Sequence, residues 1–179
     1  MHFKKLGKSE LNVSSYCLGT MTFGETTSED DGHSQIDQSL EYGINFFDTA
    51  EMYPTCPLRA ETTGNTEIII GNWIEKNKSK RSDIILASKI SGKGYKAVRN
   101  GEGINKKSVK IAIEGSLKKL KTDYLDLYQL HWPNRGSYHF RQNWNYNPTT
   151  QDTEIAKENI LQVLKALSDI QKEGKIRYI

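Results

Sequence analysis

Short apolar runs rich in Ile, Leu, Phe and Tyr alternate along this chain with longer amphipathic segments, and that alternation limits the fold more than any other feature. After a small hairpin, Phe3 to Leu6 and Leu11 to Ser14 around Gly7-Lys8-Ser9-Glu10, the apolar runs are Tyr16 to Met21, Ile44 to Thr49, Asp83 to Ile90, Tyr124 to Trp132 and Ile176 to Ile179. Between them lie helical patterns. One starts at about Ser28, a residue that can cap it, and stops before Gly43; the next spans Thr66 to Asn77 with Ile69, Trp73 and Ile74 at helical spacing. Asn105 to Lys121 sets Val109, Ala112, Ile113, Leu117 and Leu120 opposite a lysine face, and a last helix carries Ile160, Val163, Leu164, Leu167 and Ile170 before Gly174. Nearly continuous apolar strands joined through single helices predict a parallel sheet covered by helices, an α/β fold. The candidates are an open doubly wound sheet and a (β/α)8 barrel. With 179 residues and no linker or repeat, one domain or a piece of one is expected.

In either architecture the chemistry collects where the strands end, because the following loops converge there. Asp48, Lys89 and His131 close three successive apolar runs, so a carboxylate, an ammonium and an imidazole fall at neighbouring strand ends. Tyr53 follows closely enough to swing back over the same face. These types suit proton donation. A free phenol ionises near pH 10, and a nearby cation favours the phenolate. Lys89 is the candidate cation, Asp48 would keep it in place and charged, and His131 would orient a carbonyl oxygen by hydrogen bonding. Such a set supplies a proton but no nucleophile, which fits carbonyl reduction by a bound hydride donor.

Other classes fare worse. A balance of 25 Lys plus Arg against 22 Asp plus Glu, spread evenly, argues against a nucleic-acid partner. The N-terminus has no signal-peptide pattern and no apolar run approaches the roughly 20 residues that span a bilayer, so no membrane association and a cytoplasmic setting are expected. Cys17 and Cys56 are far apart, without a companion His cluster, so free thiols and no metal site are expected. Gly92-Lys93-Gly94-Tyr95-Lys96-Ala97 matches a dinucleotide fingerprint, but no apolar helix opens directly after it, and Tyr53 and Lys89 lie too far apart for a Tyr-x-x-x-Lys pair. Tyr138, His139, Phe140, Trp144 and Tyr146 make an aromatic loop after His131, read as a substrate lid or as a loop packing its own rings; Arg135 and Arg141 within it also suit nucleic acid, the poorer reading. Asp126, of opposite strand parity to His131, is expected to be a structural hydrogen-bond partner.

Asp48-Thr49-Ala50-Glu51-Met52-Tyr53, then Ser88-Lys89, then Leu127-Tyr128-Gln129-Leu130-His131-Trp132-Pro133 resemble successive signatures of the aldo-keto reductases. Leu18-Gly19-Thr20-Met21-Thr22-Phe23-Gly24 is similar to the family's first-strand motif, and Gly174-Lys175-Ile176-Arg177-Tyr178-Ile179 to its approach to the fifth strand. The resemblance runs from about residue 6 to the end and looks closest to the Tas-like bacterial branch, by the insertion Pro54 to Gly64 and the sequence Gly71-Asn72-Trp73. Pro54 stands where the family often has glycine, which should stiffen that loop.

The resemblance implies a (β/α)8 TIM barrel, NADPH as hydride donor, a small-molecule carbonyl substrate, and a catalytic tetrad of Tyr53, Lys89, Asp48 and His131 with Tyr53 as general acid. It also implies Thr20, Met21 and Asp48 at the cofactor, the first two near the nicotinamide ribose. Such a barrel takes about 250 residues. Residues 1 to 179 are therefore expected to form only its N-terminal half, strands one to five behind a short β-hairpin, with an incomplete NADPH site. At 36% hydrophobic residues the chain is also polar for a self-contained globule. Self-association through open barrel edges follows as an expectation. The alternatives are a non-catalytic, cofactor-sensing regulator of the potassium-channel β type, since those subunits resemble aldo-keto reductases, and an inactive truncated fragment.

Overall fold

A computed structural model describes residues 1–134 and 144–179. Two short strands come first, β1 (Phe3–Lys5) and β2 (Asn12–Ser14), paired antiparallel with Phe3 opposite Ser14. There follow β3 (Cys17–Gly19), α1 (Glu29–Glu41), β4 (Phe46–Asp48), α2 (Asn65–Lys76), β5 (Ile85–Ile90), α3 (Lys106–Leu120), β6 (Leu125–Leu130), α4 (Thr153–Lys172) and β7 (Ile176–Tyr178). Strands β3 to β7 form one parallel five-stranded sheet in chain order, as the βα alternation predicts.

Local chemistry sets the helix ends. The Ser28 side chain accepts from the Asp31 N–H, and Glu29, Asp30 and Asp31 crowd the positive end of α1; Gly43, at φ +77°, takes the left-handed turn beyond it. Asn105 and Ser108 form a reciprocal capping box on α3, and Asp152 caps α4. All five parallel strands are shorter than the apolar runs that contain them. Tyr16 to Met21 pairs only over Cys17–Gly19, because the Thr20 carbonyl already accepts from Phe23 in a turn. Asp83 ends a 3-10 turn, Lys78–Asp83, rather than opening β5.

The sheet has two covered faces, as strand alternation requires. Phe47, Leu86, Ile90 and Tyr128 pack against Ile36, Ile70, Trp73, Val109, Ile113 and Leu167 of the helices, all within one buried core. Each such side chain contributes roughly 1.5–3 kcal/mol by leaving water. On the opposite face Leu11 and Val13 of the hairpin pack with Ile85, Phe46, Leu127 and Tyr178. The hairpin thus covers the starts of the strands and leaves their C-terminal ends clear.

Two buried carboxylates brace this frame. Buried Asp126 accepts from Arg81 at 2.9 Å, from the Leu86 N–H at 3.0 Å and from Arg177 at 2.9 Å, the structural part expected of it. Both guanidiniums also lie over the Tyr124 ring, at 4.0 and 4.2 Å from its centroid. Fully buried Glu67 of α2 accepts from Ser88 of β5 at 2.7 Å and from Lys119 of α3 at 2.8 Å. One turn further along α2, Gly71 lets the helices touch: a Cβ there would lie 2.0 Å from the Lys119 carbonyl oxygen. Among the described residues β3 and β7 are the edges of the parallel sheet, and no helix is long and apolar enough to cross a membrane.

Candidate active site

Register explains how the polar strand ends meet. Asp48 pairs with Ala87, two residues before Lys89, while Lys89 pairs with Gln129 on the next strand. Lys89 therefore needs its long stem to carry the ammonium to the carboxylate, and it does: Nζ donates to Asp48 Oδ2 at 2.6 Å and to the Thr49 carbonyl at 2.8 Å. A third contact runs from Nζ to the Tyr53 hydroxyl at 3.4 Å, with Nζ 4.8 Å from the centre of the Tyr53 ring. Gln129 donates to the other Asp48 oxygen at 3.3 Å.

Tyr53 arrives on a turn whose N–H returns to the Ala50 carbonyl at 3.1 Å. The ring is buried among Ala50, Met52 and Val98, with Tyr95 and Trp132 packed against that cluster. His131 continues the β6 ladder, its N–H donating to the Ile90 carbonyl at 2.9 Å, and its ring stands edge-on to Tyr53 with centroids 5.6 Å apart. Burial first, and then the Lys89 cation, push the His131 imidazole down to about 4, against a smaller opposite pull from Asp48. It is therefore neutral at pH 7. Its Nδ1 is buried without a hydrogen-bond partner among the described residues. All four strand-end and loop residues singled out in the sequence thus come together.

The sequence-derived cofactor residues divide. Thr20 is fully buried, and its hydroxyl donates to the Asp48 carbonyl at 2.8 Å, bracing β4. Met21 is 39% exposed and lines a cavity of about 560 Å³ with Met52, Tyr53, Thr55, Pro57, Leu58 and His131. Tyr53 and His131 thus share the wall of one cavity. Cys17 and Cys56 are free thiols, and among the described residues no cluster of His, Cys, Asp and Glu has the makings of a metal site.

The glycine fingerprint at Gly92 has a packing explanation. A Cβ on Gly92 would sit 2.4 Å from Trp132 Cδ1, so glycine is what lets Trp132 lie against the loop, and only a short 3-10 turn, Arg99–Gly101, follows before α3. Of the aromatic loop, Trp144 is 90% exposed and Tyr146 hydrogen bonds Gln151; Arg135, Tyr138, His139, Phe140 and Arg141 lie outside the described residues.

Sequence reasoning missed Gln129 and the partners of Glu51. Gln129 shares strand parity with His131, a signal that was available. Glu51 is buried and accepts from the Ser91 N–H and from Arg99, a contact between loops that no local pattern encodes. Burial holds its carboxyl above the usual range despite the Arg99 charge.

A parallel βα sheet with a Lys-Asp-Tyr-His cluster at its C-terminal strand ends defines an α/β protein with the layout of barrel enzymes. The model of the Aldo/keto reductase family matches residues 16–179, and the chain belongs to that family. Protein tas of Escherichia coli (strain K12) is 44% identical over 182 residues, all of this chain and 51% of the relative. A probable voltage-gated potassium channel subunit beta of Arabidopsis thaliana is 34% identical over 134 residues, 74% of this chain and 38% of that one. Among solved structures, the holo form of aldo-keto reductase AKR11C1 from Bacillus halodurans superposes with a TM-score of 0.71 at 31% identity, over 99% of this chain and 49% of its own. The chain spans about half the length of the curated relatives it matches.

Proposed function

We propose that this chain carries the proton-donating part of an NADPH-dependent reductase that converts aldehydes or ketones to alcohols. The observation that carries the reading is the single ammonium of Lys89 held between Asp48, at 2.6 Å, and the Tyr53 hydroxyl, at 3.4 Å. In this reading Asp48 holds the ammonium in place, and the ammonium lies beside the oxygen from which Tyr53 gives up its proton. His131, neutral at pH 7, offers one ring nitrogen to the carbonyl oxygen and avoids a second cation beside Lys89. Met21, Met52, Pro57 and Leu58 wall the cavity in which the carbonyl would lie.

The donor set fits a nicotinamide cofactor, because it can protonate an alkoxide but contains no reductant. NADPH, when bound, supplies the hydride. Asp48 and Met21 would lie nearest its nicotinamide end, with Thr20 fixing Asp48 from behind. Pyrophosphate and 2′-phosphate contacts belong, in this proposal, to polypeptide beyond these 179 residues, which completes a barrel of which β3 to β7 are strands one to five.

Fluorescence titration of the chain with NADPH is expected to show weak or no binding; tight stoichiometric binding would overturn the claim that the cofactor site is incomplete. For the chemistry, Tyr53→Phe in the completed protein is expected to lower aldehyde-dependent NADPH oxidation by about 10²-fold or more. An unchanged rate would remove Tyr53 from the role of acid. Similarity to the Arabidopsis channel subunit supports a second reading, a regulator that senses cofactor without turnover as its task. A stoichiometric membrane partner recovered with a protein that oxidises no NADPH would favour it.

A further inference from the structure

We propose that Arg99 is a positioning residue, which fixes Tyr53 over Lys89 by closing a buried clasp on Glu51 and Ser91. The segment after β4 runs on beside β5: the Thr49 and Glu51 N–H groups donate to the Ala87 and Lys89 carbonyls at 3.0 and 3.2 Å. At the next step the Glu51 carboxylate replaces the main chain and accepts from the Ser91 N–H. Arg99 completes the ring. One of its nitrogens donates to that carboxylate and another to the Ser91 carbonyl at 2.8 Å, so both polar groups of the Ser91 backbone are held by side chains. The Glu51 and Arg99 side chains are 6% and 9% exposed.

The clasp has two consequences for Tyr53. Glu51 lies at the centre of the Ala50-to-Tyr53 turn, so fixing its carboxylate fixes the turn that delivers the phenol. Arg99 also follows Val98, which packs in the cluster containing Tyr53, and the same loop carries Tyr95, whose hydroxyl hydrogen bonds Thr63 at 2.7 Å. The loop spends backbone freedom to reach this arrangement: Arg99 and Asn100 both adopt positive φ, 45° and 55°, although neither is glycine. Without the clasp nothing in the local sequence favours that conformation at Arg99, and the wall behind Tyr53 loosens. Neither Glu51 nor Arg99 is given a place in the proton transfer itself.

The proposal uses the carbonyl-reductase reading only for its kinetic test, and a second test is independent of turnover. In the 179-residue chain, Arg99→Met is expected to speed amide hydrogen exchange about ten-fold in residues 91–101 and also in residues 50–53, with the middle of α3 unchanged. Exchange in residues 50–53 equal to the parent would overturn it. In the completed, active protein, Arg99→Met is expected to lower kcat about ten-fold while KM for a small aldehyde changes by less than about three-fold. The pair variant Glu51→Gln with Arg99→Met, which buries no lone charge, should regain Tm but not kcat; recovery of kcat together with Tm would mean that the pair only stabilises the fold. If Arg99→Met does not fold, Arg99→Lys is read by the same criteria. If the parent protein reduces no carbonyl, the carbonyl reading fails, and exchange alone decides the clasp.

Discussion

At the scale of single residues, the site is a problem in placing charge. One ammonium touches a carboxylate and a phenol, and the nearby imidazole avoids becoming a second cation. His131 makes this testable. Its folded-state value of about 4 lies below the ordinary 6.5, so the unfolded chain binds a proton that the folded chain refuses. Folded stability tied to His131 is complete above about pH 6.5 and is lost as pH falls from there toward 4. The stability difference between the parent and His131→Gln is expected to change by up to about 3 kcal/mol across that window, measured by denaturant unfolding at a series of pH values. A flat difference would mean that His131 is solvated or already paired. The residue types at strand ends were legible in the sequence because parallel sheets gather their loops at one end. The 2.6 Å contact was not, because it depends on the offset between Asp48 and Lys89 on adjacent strands.

At the scale of elements, the helices were legible from apolar periodicity, with a cap readable only at Ser28; the caps at Asn105 and Asp152 emerge from the structure, and α2 has no side-chain cap. The strands are shorter than the sequence pattern suggests because turns claim the flanking backbone: the Thr20 carbonyl accepts from Phe23, and Asp83 closes a 3-10 turn before β5. What holds the elements together is mostly non-local and was invisible in advance. Glu67 joins α2, α3 and β5 with no mark in its neighbours, and Gly71, part of the Tas-like sequence Gly71-Asn72-Trp73, also lets the α3 backbone come close to α2. Gly71→Ala is therefore expected to destabilise the fold by about 1–3 kcal/mol or more, because the new methyl meets helix backbone rather than a flexible side chain. A thermal melt equal to the parent's would show that the helices separate at no cost. By contrast, Gly115→Ala meets nothing within 4 Å and lies inside α3, so it should leave stability unchanged or raise it by up to about 1 kcal/mol.

At the scale of the whole molecule, the described sheet ends in two edge strands, β3 and β7, and α4 exposes Leu161 at 58% and Leu164 at 41%. Unpaired strand edges beside exposed apolar side chains favour association with another chain. Sedimentation velocity of the isolated polypeptide is expected to show dimers or larger species whose proportion rises with concentration; a stable, soluble monomer would count against it. The hairpin closes the start of the sheet with Leu11 and Val13, so the open region is the one that carries the candidate chemistry. The parallel architecture was legible in the sequence because βα alternation leaves few alternatives. The cover provided by the hairpin was not, because β1 and β2 are short, β1 is exposed, and the neighbours of buried Leu11 and Val13 come from distant strands.

The central claim is that Tyr53 donates the proton and needs the Lys89 ammonium beside it to do so, and the most direct measurement is the pH–rate profile of carbonyl reduction by Lys89→Met in the completed protein. The account predicts a rate about 10²-fold lower or more near neutral pH and a profile that no longer follows that of the parent. An unaltered rate with an unaltered profile would contradict it, leaving the fold and the family in place without this mechanism.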